Sequence, residues 1–454
     1  MIRYFISSYS LSNIIKWTFL LFFCLVSLRC SLAEDESAIT VHIIPHSHTD
    51  LGWKHTIEEY FIGRTEFGCV KCIYDSALQS LPESPDYKFT IEQVGFLIRW
   101  WEHLSTEQQS QFAKLVEKGQ IEFLNGGIAM SDTACPHYEH IIDQYALGQQ
   151  WLKEKFNYYP KIGWALDQFG HSKTHAWILA KMGYDAQILE RVHENARGKR
   201  QSNKQMGFIW QPDEMFEEKL YTQLTDYNYW DDPNFKSWQT CYHGSCDNGL
   251  TDAQYDNYKY WNEKRSKYYT SKHVEHHIGG DFSFSNGITI TFIRLERIIK
   301  QINKMKDSFK ARFSTYGEFF KALNGEISAK SKELEHFTDD FFPLISSSDQ
   351  PWTGFYTSKP VLKGLAFDGI RYLLAAKTLY SKILLKDLTN FKLNKNNTEE
   401  AWNKLWDFDE ALGVLTHHDA ITGTAKAYVD EADYYGKMFE AHSHLNEVFE
   451  DFER

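Results

Sequence analysis

Short β-rich runs alternate with amphipathic helical patterns from about residue 40 to residue 323, and this alternation constrains the fold most. The strand candidates are 41–44, 89–92, 120–124, 162–166, 185–189 and 312–314, and helical patterns cover 94–104, 106–118, 140–156 and 173–182. Strands that alternate with helices predict a parallel sheet with helices outside it, either doubly wound or closed as a barrel. In both arrangements, functional residues belong at the carboxyl ends of the strands.

The pattern changes after about residue 326. The segments 361–385, 399–415 and 427–450 have apolar residues at helical spacing and no strand signal. Three long helices joined by polar loops predict a compact helical bundle. We therefore expect an α/β chain, with a barrel-like parallel β/α domain over residues 34–325 and a three-helix bundle domain over residues 326–454.

The first 33 residues have the pattern of a secretory signal peptide. A basic start precedes an apolar run over residues 17–28, which is shorter than the ~20 residues that a membrane span needs. Ser31 and Ala33 supply the small residues of a cleavage site. A signal anchor is the alternative, but the first predicted strand follows closely and leaves no stem. We expect entry into the secretory pathway without a stable membrane span.

Five cysteines follow this leader, at positions 69, 72, 135, 241 and 246. In an oxidising lumen, Cys241 and Cys246 are the easiest disulfide, because they close a small loop. Cys69 and Cys72 lie in a helical pattern without a second Cys or His pair, so two helical thiols or one disulfide to another segment is expected. The odd count leaves one thiol free. Asn396 begins the single glycosylation sequon, in a polar loop.

The charge balance limits the class of partner. The chain has 49 Lys and Arg residues against 61 Asp and Glu residues, a net charge of −12, and no basic block. Nucleic acid is excluded as the main partner, because phosphate binding needs a basic face. The many Tyr and Trp residues suit a neutral sugar, although a large core explains them more simply. No sequence feature indicates an oligomeric state.

His and Asp residues cluster at three points where predicted elements end. In 45–53, His48 and Asp50 project to one side of an extended segment and can hold a metal; a hydrogen-bonded loop is the alternative. In 164–172, an apolar strand delivers Asp167 before a Gly turn, and a helix N-cap is the alternative. In 416–424, a His-His-Asp cluster that contains His418 ends a predicted helix, and a satisfied buried His pair is the alternative.

Together, these three segments resemble glycoside hydrolase family 38, the retaining α-mannosidases, and especially their lysosomal acid branch. Further ordered matches are the segments 99–101, 123–127 with Met130 and Asp132, 341–343, and 352–358 with Pro360. The resemblance implies a zinc-dependent retaining α-mannosidase that removes terminal α-mannose from N-glycan-derived oligosaccharides, in lysosomes or after secretion. Members of the family normally continue into β-sandwich domains, whereas this chain ends after the predicted bundle.

The resemblance also implies the site residues. One zinc ion is held by His48, Asp50, Asp167 and His418. Asp167 is in addition the nucleophile that forms a glycosyl-enzyme, and Asp281, in a Gly-x-Asp-Phe motif, is the general acid/base. The implied substrate contacts are Trp53, Phe169, Arg191, Tyr229 and Asp419, with Tyr227 almost as well placed as Tyr229. A second Asp-Phe motif at 340–341 precedes a Phe-Pro packing motif and is interpreted as structural.

Two alternative functions stay open. A catalytically weak or inactive mannose-binding relative would retain zinc for binding alone. A zinc polysaccharide deacetylase would also use His and Asp ligands on a β/α barrel, but the distant His418 argues against it. Gln168 stands where the family usually has a proline after the nucleophile, so the linkage preference is not predicted.

Overall fold

The computed structural model describes residues 38–453, except for 67, 214, 216, 227–228, 230–248, 270, 306–308, 331–333, 347–349 and 388–394. The predicted signal peptide and the predicted Cys241–Cys246 disulfide lie outside the described residues. Within the described ranges, no helix combines the length and the apolar character that a membrane crossing requires.

The strands of the described residues form three sheets. In the first, β1 (Ile39–Pro45) lies between β8 (His273–Ile278) and β9 (Phe309–Phe313), and both pairings are parallel. The second has the order β10 (His336–Phe337), β6 (Gly207–Trp210), β7 (Leu220–Leu224), β5 (Ala186–Leu189) and β4 (Ile162–Ala165). The third pairs β2 (Phe89–Ile91) with β3 (Ile121–Phe123) in parallel.

The predicted α/β class with parallel strands is confirmed, with two differences in detail. Strand β6 runs antiparallel to β7, and the hydrogen bonds of the described strands do not close one barrel. Strand β8 has no apolar strand signal, because four of its six residues are His or Glu, yet most of it is buried. Because these side chains are polar, an analysis of hydrophobic periodicity does not detect this buried strand.

Helices cover the sheets as the alternation predicts. In chain order, α1 to α10 are Ile57–Ile62, Val70–Ser80, Gly95–Glu102, Thr106–Glu117, Tyr138–Phe156, Lys173–Lys181, Glu194–Asn203, Asp252–Tyr269, Thr289–Lys304 and Tyr316–Lys330. Helix α4 begins after Ser105, whose side chain forms a capping box with Gln108. Such reciprocal bonds satisfy two backbone donors that a helix start leaves free.

The cysteines of α2 depart from the prediction. Cys69, which caps this helix, is bonded to Cys72. The expectation of two thiols, or of a disulfide to another segment, is therefore wrong. Residues three apart on a helical turn are neighbours, which brings the two sulfurs together without a partner elsewhere. Cys135 is the free thiol of the described residues.

The second part of the chain is helical. Its long helices are α11 (Pro360–Asp387), α12 (Lys395–Leu415) and α13 (Gly436–Glu453). The predicted continuous run over 427–450 instead starts as one α turn, Ala427–Val429, followed by a π-helical segment, Asp430–Tyr435. Asn396 lies in the first turn of α12 and not in the predicted loop.

Helix α12 joins the two parts, because it contacts α11, α13 and also α5. Gly413 permits this close approach, since an added Cβ would lie 3.2 Å from side-chain atoms of both Ile128 and Gln144. One buried cluster includes Val41 of β1 and Leu412 of α12. The turn after α12 is therefore carried to the ends of the β-strands.

Candidate active site

Four buried or nearly buried side chains meet where strands end. His48 and Asp50 follow β1, Asp167 follows β4, and His418 lies in the turn after α12. One ligand atom from each lies within 4.8 Å of the others. The His48 Nε2 to Asp50 Oδ1 distance is 3.0 Å, and His418 Nε2 lies 3.1 Å from Asp167 Oδ2 and 3.4 Å from Asp50 Oδ1. Two imidazole nitrogens and two carboxylates thus converge on one point.

The outer nitrogen of each imidazole is hydrogen-bonded in a way that orients the ring. His48 Nδ1 lies 3.2 Å from Glu92 Oε2, and His418 Nδ1 lies 3.0 Å from the Met130 carbonyl oxygen. Glu92 also binds His46 Nδ1 at 2.6 Å. An Nδ1–H that donates to such an acceptor leaves Nε2 as a free ligand atom, as in most histidine metal sites.

Glu92 and Met130 are contributions that the sequence does not predict. Glu92 is the last residue of the predicted strand 89–92, and a carboxylate at a strand end was the available signal. Met130 acts through its backbone carbonyl, which has no signature in the sequence because every residue carries that group.

The charges of the cluster favour a cation at its centre. Burial opposes the charged form of His418, yet its hydrogen bonds to Asp167 and Asp50 raise its pKa to about 10. Burial also opposes ionisation of Asp50, yet His48 and His418 hold the pKa of that carboxyl well below its usual range. His48 Nε2 and Asp50 Oδ1 lie 3.0 Å apart and are both shielded from solvent. This donor set fits Zn²⁺, which accepts nitrogen and carboxylate ligands.

A second carboxyl, Asp281, lies beside the cluster on the segment after β8. The His48 N–H donates to the Gly280 carbonyl at 3.0 Å, which aligns this segment with the one after β1. Gly279 has φ +155°, and an added Cβ would lie 1.9 Å from the His46 carbonyl oxygen. Only glycine fits this approach, so the Gly-Gly pair explains how Asp281 reaches the site.

Asp281 is held in a setting that favours its protonated form. The Tyr229 hydroxyl donates to Asp281 Oδ1 at 2.9 Å, and the Tyr229 and His48 ring centroids are 4.8 Å apart. Burial raises the pKa of Asp281, and the nearby charges of Asp50 and Asp167 raise it further against the opposing effects of His48 and Tyr229. Tyr227, the alternative to Tyr229, lies outside the described residues.

Asp167 is held in the opposite, ionised form. The Arg191 guanidinium forms an ion pair with Asp167 Oδ1. Although burial opposes ionisation, Arg191 and the hydrogen bonds from His418 and His48 keep the pKa of Asp167 well below its usual range. The surroundings therefore shift the pKa values of the two carboxyls in opposite directions, that of Asp167 downwards and that of Asp281 upwards, as a nucleophile and an acid require.

Aromatic rings line the cluster. The Arg191 guanidinium lies 5.4 Å from the Phe169 ring centroid and 5.5 Å from that of Trp352. Phe169 meets His418 edge-on, with ring centroids 6.1 Å apart. Trp352, which is 39% exposed, was not assigned to the site by sequence reasoning, although it lies in a matched motif. Its exposed ring suits contact with a sugar face.

The remaining predicted contacts have these positions. Asp419 accepts a hydrogen bond from the Thr424 hydroxyl, and its Oδ2 lies 3.7 Å from His417 Nε2. Trp53 is half-buried in the loop after Asp50, with the Lys54 ammonium 3.8 Å from its ring centroid. A sugar that stacks on Trp53 would have to use the opposite ring face.

The second Asp-Phe motif has a structural role. The side chain of Asp340 accepts a hydrogen bond from the Lys173 backbone N–H at the start of α6. A carboxylate at this place satisfies a backbone donor and favours the positive end of the helix dipole.

The fold and the cluster together describe an α/β protein with a buried His/Asp cluster whose donor set suits a divalent cation, and with a further carboxyl, Asp281, beside it. The chain belongs to glycosyl hydrolases family 38. Residues 38–346 match the N-terminal domain of that family, and residues 350–454 match the alpha-mannosidase middle domain. The predicted family is thus confirmed.

Curated relatives are α-mannosidases. Alpha-mannosidase F of Dictyostelium discoideum is 32% identical over 422 residues, which are 90% of this chain and 40% of that protein. The lysosomal alpha-mannosidase of the same organism is 30% identical over 93% of this chain and 43% of its own length. Alpha-mannosidase 2 of Mus musculus is 28% identical, over 92% and 38%. The chain therefore spans less than half the length of these relatives.

Among solved structures, an α-mannosidase from Enterococcus faecalis V583 superposes with a TM-score of 0.64. Its sequence is 16% identical, and the match covers 91% of this chain and 42% of that one. At this identity the likeness concerns the fold.

Proposed function

We propose that this chain is a zinc-dependent retaining α-mannosidase that cleaves terminal α-mannose through a glycosyl-enzyme intermediate. The observation that carries the proposal is the convergence of His48, Asp50, Asp167 and His418 beside a further carboxyl, Asp281, whose pKa is shifted upwards while that of Asp167 is shifted downwards. One bound zinc ion would supply a positive charge that grips sugar hydroxyls and orients the ring.

The side chains divide the reaction into two displacements. Arg191 fixes one oxygen of Asp167, and the ionised carboxylate attacks the anomeric carbon to form an ester. The bond to the leaving oxygen breaks as Asp281 donates its proton to that oxygen. Asp281, now ionised, takes a proton from water, and the resulting hydroxide displaces Asp167 from the sugar. Two inversions retain the anomeric configuration.

The proposed substrates are oligomannose and N-glycan fragments. Trp53, Phe169, Arg191, Tyr229 and Asp419 are proposed to contact the sugar. The division into a β/α domain and a helical domain and the glycosylation of Asn396 are part of the same proposal. So is the secretory route to lysosomes or to the outside of the cell, which the similarity to the lysosomal alpha-mannosidase of Dictyostelium discoideum supports.

Hydrolysis of aryl α-mannosides by the metal-loaded chain tests the proposal. We expect turnover that a chelator abolishes, α-mannose as the first product by NMR, and no turnover by Asp167→Ala. Because Asp167 is also a proposed ligand, Asp281→Asn separates catalysis from metal binding. It should keep zinc and lose more rate on oligosaccharides than on substrates with good leaving groups.

Other outcomes favour the alternatives. Zinc and mannose binding without turnover would indicate the inactive mannose-binding relative. Release of acetate from chitin oligomers would indicate the deacetylase. An equal loss of rate on both substrate types in Asp281→Asn would contradict the assignment of Asp281 as the acid.

A further inference from the structure

Two adjacent residues at the end of β5 serve the two carboxyls of the site. Arg191 forms the ion pair with Asp167. Glu190 accepts the backbone N–H of Tyr229 on Oε2 at 2.9 Å. The Tyr229 hydroxyl in turn donates to Asp281 at 2.9 Å. A chain of hydrogen bonds therefore runs from one strand end to the second carboxyl.

We propose that Glu190 is a positioning residue for the acid/base, because it fixes Tyr229 and thereby the phenol that orients Asp281. This inference rests on the proposed function, in which Asp281 is the acid. Glu190 does not itself touch Asp281 in the contacts described, so its effect passes through the Tyr229 backbone.

Glu190 and Tyr229 lie on different kinds of backbone. Glu190 is 4% exposed, its N–H donates to the Ala165 carbonyl at 3.2 Å, and its carbonyl accepts from the Arg197 guanidinium. It directly follows β5, which is paired on both sides, by β4 and β7. Tyr229 lies in the connection after β7. A side chain on a paired strand end can hold a loop residue to within the tolerance that catalysis needs.

Because Glu190 contacts Tyr229 and Arg191 contacts Asp167, we expect substitution of Glu190 to impair one step of the reaction more than the other. Loss of the Glu190 acceptor frees the Tyr229 N–H and shifts the phenol against Asp281. The ion pair of Arg191 with Asp167 uses different side chains, and we expect it to remain, although the Glu190 carboxyl also interacts electrostatically with both residues. Proton donation to the leaving group should therefore suffer more than attack by the nucleophile.

Two substitutions at one position separate the hydrogen bond from the bulk of the side chain. Glu190→Gln keeps an oxygen that can accept the Tyr229 N–H, whereas Glu190→Ala removes it. Glu122→Ala is the matched control. Glu122 is 7% exposed and accepts the backbone N–H groups of Tyr316 and Gly317, each at 2.7 Å, at the start of α10.

The test uses the metal-loaded chain and aryl α-mannosides with leaving groups of graded acidity. In Glu190→Ala we expect kcat/KM, which reports the first displacement, to fall about 10–100-fold on poor leaving groups and to change little on a dinitrophenyl mannoside, whose departure needs no acid. Glu190→Gln should resemble the wild type. Glu122→Ala should change all substrates by the same factor. A uniform loss in Glu190→Ala, or an equal defect in Glu190→Gln, would overturn the inference.

A second readout does not depend on turnover. If the metal-loaded wild type hydrolyses no aryl mannoside, the proposed function fails, and NMR of ring-¹³C tyrosine then tests the placement of Tyr229. The Tyr229 signal, identified with Tyr229→Phe, should move in Glu190→Ala and stay in Glu190→Gln. An unchanged Tyr229 signal in Glu190→Ala would contradict the positioning role of Glu190, whatever the activity.

Discussion

The β/α part and the helical part of this molecule differ in where their buried polar side chains lie. In the β/α part, buried histidines and carboxylates are spread over many strands, among them His42, Glu92, Glu122 and Glu275. In the helical part, most buried polar side chains belong to one segment, 416–424, and the few others include Asp409, which pairs with Lys377 at 2.7 Å. The site takes three of its four proposed ligands from the first part and one from the second.

This difference in the distribution of buried polar side chains follows from where parallel strands and packed helices place their ends. Parallel strands bring successive carboxyl ends to one edge, so each strand can deliver a polar side chain to the same place. Helices that pack through apolar faces meet along their length and expose their ends separately. The helical part therefore contributes a single turn, and α12 must dock closely for that turn to reach the site.

The largest effect tests whether this one turn completes the metal site. We expect His418→Ala to weaken zinc binding by more than about 100-fold, since even outer partners of metal ligands cost 10–100-fold. Competition with a fluorescent chelator measures the affinity. His336→Ala removes an exposed histidine of β10 and should leave it unchanged. Equal affinity in wild type and His418→Ala would show that the helical part is not needed for the metal.

The next effect tests whether the two parts share one core. Leu412 is fully buried in the cluster that includes β1, so Leu412→Ala should lower the free energy of unfolding by about 2–5 kcal/mol. Hydrogen exchange should accelerate in β1 as well as in α12. Leu385→Ala, at a site that is 62% exposed on α11, should cost less than about 0.5 kcal/mol. Faster exchange confined to the helices would mean that the parts are energetically separate.

The smallest effect concerns pH and the buried carboxyls. Burial raises the pKa of Glu275 to about 8, so the folded chain keeps a proton that the unfolded chain loses above its own pKa near 4.5. The free energy of unfolding should therefore fall by about 1–2 kcal/mol between pH 6.5 and 8, and Glu275→Gln should reduce this fall. Chemical denaturation at both pH values measures it.

Asp409 of the helical part is the control for this pH effect. Burial raises its pKa only to about 6, against the opposing charge of Lys377, so its proton is already lost by pH 7. Asp409→Asn should leave the change in stability between pH 7 and pH 8 as it is in the wild type. If the free energy of unfolding falls equally in Glu275→Gln and in the wild type, the titration of Glu275 is not the cause.

The sequence predicted the α/β class and the family, whereas several local features of the structure have no sequence signature. The pattern alone left a hydrogen-bonded loop open for His48 and Asp50 and a helix cap open for Asp167. The family resemblance implied the set of four, and the structure brings these residues together with His418. The roles of Glu92 and Glu190 depend on which atoms face which neighbours, and no spacing encodes that. Strand β8 was not predicted, because most of its buried residues are polar. The Cys69–Cys72 disulfide was not predicted, because a helical pattern alone does not distinguish paired from free thiols.

Zinc K-edge X-ray absorption of the purified, zinc-loaded chain tests the central claim most directly. We expect one zinc per chain with two histidine nitrogens at about 2.0–2.1 Å and carboxylate oxygens at about 2.0–2.2 Å, and the loss of one nitrogen ligand in His418→Ala. A chain that binds no zinc, or a spectrum with sulfur ligands or without histidine, would contradict it.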